Sequence, residues 1–64
     1  MLNFNCIQYI LADKATRDAS REHWKKCYIE AVKAGDEYNA NFSAIQLANR
    51  IIAEDFIKEK LTEE

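Results

Sequence analysis

The strongest signal along the chain lies toward its C-terminal end. Ala44, Ile45, Leu47, Ala48, Ile51, Ile52, Phe56, Ile57 and Leu61 recur at steps of three and four. That spacing gathers side chains on one face of a 3.6-residue helix. Ser43 and Gln46 stand just ahead of the run in the S-x-x-Q order of a capping box, so the pattern predicts a helix over about 43–61. Its apolar arc is wider than a coiled-coil seam, which implies burial on more than one side. Arg50, Glu54 and Lys58, four residues apart on the other side, read as a solvated ladder.

A second helix is expected over about 13–34. It stops at Gly35, the only glycine, which can take the left-handed conformation that closes many helix C-termini. Ala12, Ala15, Ala19, His23, Trp24, Cys27, Tyr28 and Ala31 share one stripe, small at its start and bulky at its end, with Ile29 and Val32 on its flank. Upstream, Asn5 with Gln8 reads as the start of a short helix over about 4–12 carrying Phe4, Ile7, Ile10 and Leu11. Leu2, Phe4 and Cys6 also alternate with Asn3 and Asn5 as a strand would, though such a strand needs a second copy of the chain for a partner. The pattern leaves open whether the first two helices are continuous. Residues 36–42 read as the one real loop, with Phe42 placed as a hydrophobic staple toward Leu47.

Composition narrows the class. Sixty-four residues make one domain, 1–64. A single glycine and no proline argue against turn-rich β architectures, and 48% hydrophobic residues argue against disorder. The net charge of −2 is unevenly spread. Residues 13–33 carry six bases against four acids, and residues 36–64 carry three bases against seven acids. The two segments are therefore expected to pack together and attract each other. Cys6 and Cys27 are expected as small buried thiols rather than a disulfide. No basic n-region precedes the apolar start and no run approaches the ~18 apolar residues of a membrane span, so a cytoplasmic protein is expected.

Candidate chemistry is sparse. His23 and Cys27 sit one turn apart, but a structural zinc site takes four ligands and no paired-cysteine spacing supplies the others. Ser20, His23 and Asp18 lie on one helix without an oxyanion donor or pocket to complete a nucleophile. One glycine cannot build a phosphate loop. Glu54 and Asp55, the nearest thing to a carboxylate pair, read as a solvated face. No enzyme, no metal site and no cofactor is expected. Lys14, Arg17, Arg21 and Lys25 follow one helical row about three turns long that could track a phosphate backbone, although acids are interleaved with it.

Trp24, the Gly35-Asp36 pair, and Ala44-Ile45 with Ala48 form an order that resembles a tetratricopeptide-repeat hairpin over residues 24 to about 51. Cys27 and Tyr28 stand where that pattern has Leu-Gly, the expected loop is longer, and no proline closes it. The resemblance implies two antiparallel helices, and it reads as the shared physics of such a pair rather than membership.

Together these patterns predict an all-α fold: a small helical bundle of two long antiparallel helices, about 13–34 and 43–61, plus a short N-terminal helix, about 4–12. The apolar residues exceed what three helices hide, so completion by a homodimer, or an exposed patch for another protein, is expected. The function expected is non-catalytic protein binding, as an adaptor or inhibitor of a larger protein machine of the kind phages and mobile elements encode. Trp24, Tyr28, Tyr38 and Phe42 are the candidate apolar anchors, and Lys14, Arg17, Arg21 and Lys25 the candidate basic edge. The alternatives are a nucleic-acid-associated regulator using that edge and a structural subunit of a larger assembly.

Overall fold

A computed structural model describes residues 4–61. Leu2 and Asn3 of the strand-like alternation, and the side chain of Leu61, lie outside the described residues. Three helices follow in order: α1 (Cys6–Leu11), α2 (Lys14–Ala34) and α3 (Glu37–Phe56). One wider π-type turn, Ile57–Leu61, continues α3. The long pair α2 and α3 pack together, and α1 lies mainly against α3.

Each helix begins on a side-chain acceptor. Asn5 accepts from the Gln8 N–H at 3.0 Å, Asp13 from Thr16 at 3.0 Å and Asp36 from Asn39 at 3.1 Å. These bonds satisfy amide donors that have no partner inside a helix. They also hold the Asp13 and Asp36 carboxyls below the usual carboxylate range. Ala12 is extended and Asp13 caps the next helix, so α1 and α2 are separate. The Cys6–Leu11 stretch is helical rather than a strand.

The loop expected over 36–42 is absent. Gly35 at φ 72° closes α2, its N–H reaching Val32 O at 3.1 Å while Asp36 N–H reaches Ala31 O at 2.9 Å. The next residue, Asp36, already caps α3. Its carboxylate accepts from both the Asn39 backbone and the Asn39 amide, the latter at 2.6 Å, and no glycine or proline follows to break the helix. Ser43 is therefore no cap. It lies inside α3 and is 4% exposed. Phe42 packs on Trp24, ring centroids 5.8 Å apart, instead of stapling a helix start.

The inward face of α2 also differs from the expected stripe. Arg17, Ser20, Arg21, Trp24, Cys27 and Ala31 are buried or half-buried, whereas Ala15, Ala19 and His23 are exposed. Cys6 is exposed as well, contrary to expectation, and both thiols are free. Among the described residues the buried apolar set is Tyr9, Ala31, Ala53 and Ile57. With extents of 44 × 23 × 16 Å, the chain is an elongated slab.

Candidate interaction surface

One carboxylate holds the open end of the hairpin together. Glu54 Oε2 accepts from Tyr9 Oη at 2.9 Å, Arg17 Nε at 2.8 Å and Arg21 Nη1 at 2.5 Å. Arg21 also donates to Tyr9 Oη at 2.7 Å and pairs with Asp18, while Arg17 Nη1 reaches the Ala12 carbonyl at 2.6 Å. All three helices meet in this cluster. Burial pushes the Glu54 carboxyl up, but hydrogen bonds from Tyr9 and Arg17 and the nearby guanidinium charges outweigh it, leaving the group below its ordinary value. Burial raises the Tyr9 phenol. Glu54 is thus no part of a solvated face, in contrast to the exposed Asp55.

Arg50 departs from the expected ladder in the same way. Its Nε donates to Ser20 Oγ at 2.7 Å, and its Nη1 donates to the backbone and side-chain oxygens of Gln46 at 2.9 and 3.0 Å. Its guanidinium carbon lies 4.8 Å from the Phe4 ring centroid and 5.5 Å from that of Trp24, within cation–π range. Burial lowers Arg50 from its ordinary value.

The expected basic edge is consequently not a free cationic row. Arg17 and Arg21 turn onto Glu54, and Lys14 pairs with Asp18 at 2.9 Å. Lys25 stands exposed. The four apolar candidates divide too. Trp24 and Phe42 pack on each other between α2 and α3, with Phe42 38% exposed, whereas Tyr28 is 40% and Tyr38 77% exposed.

Large apolar side chains outnumber the core. Ile7, Leu11, Tyr28, Ile29, Val32, Tyr38, Phe42, Ile45, Ile51, Ile52 and Phe56 are all exposed. They fall on two sides of the slab. Phe42 shares a groove of about 410 Å³ with Trp24, Cys27 and Ala34. Val32 borders the opposite flank with Ala31 and Ala40, where Tyr28 also falls at one helical turn's spacing. On the first side α1 covers only the half far from the Gly35 turn. There Phe4, Cys6 and Ile10 face Asn49, Ile52, Ala53 and Phe56 across an apolar groove of about 340 Å³. Sequence reasoning missed Ile45, Ile52 and Phe56 as surface residues, because a wide apolar arc reads as core when the neighbours that cover it are unknown.

His23 Nε2 lies 3.7 Å from Cys27 Sγ, and no group of three or more metal-ligating side chains occurs among the described residues. Ser20 is engaged by Arg50 rather than by His23. Among the described residues, no helix is long and apolar enough to cross a membrane. The fold defines an all-α chain with two long packed helices and one short one. No protein-family model matches it, and neither the curated proteins nor the solved structures contain a match.

Proposed function

We propose that this protein is a small non-catalytic protein-binding module, an adaptor or inhibitor of a larger protein assembly, that works as a homodimer. One observation carries the reading. Eleven large apolar side chains stand exposed among the described residues, against four buried apolar ones. Soluble monomers seldom leave such a surplus in water, whereas binding surfaces do. The flank bearing Tyr28, Ile29 and Val32 is the one offered to a partner, with aromatic and β-branched side chains beside the exposed Lys25.

Affinity capture with the wild-type chain and with a Tyr28→Glu/Val32→Glu variant tests this reading. The expected result is a protein retained by the wild type and lost with the variant, while the far-ultraviolet dichroism of the two is the same. Equal capture by both chains would remove this flank from the reading. Capture of nucleic acid alone, released by about 0.5 M salt, would instead favour contact with a phosphate backbone.

A further inference from the structure

Extending α3 back to Glu37 exposes a register that the shorter predicted helix conceals. Tyr38, Phe42, Ile45, Asn49, Ile52 and Phe56 follow one another at steps of four, three, four, three and four. This is an unbroken 3.5-residue repeat, with Phe42, Asn49 and Phe56 at the a positions and Tyr38, Ile45 and Ile52 at the d positions. Five of the six are exposed, and Asn49 is half-buried. The row is about 27 Å long at 1.5 Å per residue. It carries no charged residue. We infer that this α3 row is the surface on which a second copy of the chain docks, helix to helix about a twofold axis, converting two hairpins into a four-helix core.

Two observations select a second copy over another occupant. The first is self-complementarity, because a row with a 3.5-residue repeat and no charge meets its own copy without like-charge repulsion. The second is Asn49, the one amide in an otherwise apolar row, half-buried at an a position. A lone asparagine at an a position finds its partner in the amide of the facing helix and fixes register at some cost in stability.

The inference rests on the homodimer part of the proposed function, so its test separates the two. Light scattering and sedimentation equilibrium over a dilution series are run on the full chain and on Ile45→Lys, Ile52→Lys, Asn49→Asp, Asn49→Leu and Ile29→Lys. The wild type is expected to be a dimer. Either lysine on the row is expected to raise the dissociation constant roughly 100-fold or more. Helicity should be unchanged in Ile45→Lys, whose side chain lies clear of α1, and this variant controls for Ile52→Lys, whose site borders the groove against α1. Asn49→Asp is expected to weaken the dimer above the carboxylate pKa and to recover in acid. Asn49→Leu is expected to tighten association or admit higher oligomers. Ile29→Lys, off the row, is expected to change nothing. A wild-type monomer at all concentrations overturns both the dimer and the row. A dimer that ignores the row variants but dissociates with Ile29→Lys keeps the dimer and overturns the row alone.

Discussion

Replacing Glu54 by Gln tests whether the three helices are held together by charge at one end. The substitution keeps shape and one oxygen acceptor, but removes the negative charge opposite two guanidinium groups. The side chains of Arg17, Arg21 and Glu54 are only 15%, 26% and 27% exposed, so the case falls between two known limits. Breaking a fully buried pair costs about 3–5 kcal/mol, and an exposed pair is worth about 0.2–1 kcal/mol. With solvent still reaching about a quarter of the site, a loss of about 2 kcal/mol is expected. A domain of 64 residues has about 3–10 kcal/mol in total. At about 4–8 °C per kcal/mol, Tm should fall by about 8–16 °C at fixed protein concentration. Asp55→Asn, on the exposed neighbour, should leave it unchanged. The acid limb gives an independent check. Because the folded Glu54 pKa lies below its ordinary 4.5, its contribution is present above that value and is lost as pH falls through the folded pKa. The gap between wild type and Glu54→Gln should therefore close on acidification. A loss below about 0.5 kcal/mol, or a gap that persists in strong acid, would refute the reasoning.

Tyr9→Phe removes a phenol that donates to Glu54 and accepts from Arg21, and about 1 kcal/mol of stability should go with it in a chemical denaturation curve. Since the Tyr9 pKa is raised above 10.0 in the fold, its contribution is complete below that value and lost as pH rises through the folded pKa. Wild-type Tm should then fall in alkali more steeply than that of the Phe variant. Asp36→Ala should lower stability as a lost helix cap, by an amount that shrinks in acid as the wild-type carboxylate protonates, and Ser43→Ala should show no acid-dependent loss. Equal and pH-independent losses at the two positions would restore Ser43 as the helix start. Gly35→Ala meets no atom within 4 Å at the new methyl, so only the left-handed backbone resists it, and roughly 1 kcal/mol should be lost by thermal melting.

The all-α class, α2 with both of its ends, and the start of α1 at Asn5 were legible because each is written locally, in apolar periodicity and in a cap three residues from its partner. What escaped is set by tertiary contact. Arg17, Arg21 and Arg50 read as solvent-facing in any hydrophobic template, and only the approach of Glu54, Tyr9 and Ser20 explains their inward positions. The start of α3 was misplaced because two valid capping signals compete. The Asp36 carboxylate gains two donors from Asn39 where Ser43 would gain one, and residues between them contain nothing that stops a helix. Moving that start by two turns decided which residues form the candidate surface, since Tyr38 and Phe42 join the row only once they are helical. The cationic row was correct in spacing, but Arg17 and Arg21 pair with Glu54 from α3 and Lys14 with Asp18 inside α2, and only the second kind of partner is written in the local sequence.

The two ends of the hairpin are closed by different means, which gives the molecule a direction of failure. At one end Gly35 and Asp36 join the helices covalently, and salt does not loosen that joint. At the other end Glu54 and its three donors are the clasp, and protons or ions act on it directly. Mild stress should open the chain as a hinge opens, with α1 and the far turns of α3 separating while the Gly35 end stays paired. Amide exchange should record this as a gradient, fastest in α1 and after Ala53, slowest around Ala31 and Ser43, and steeper as pH falls.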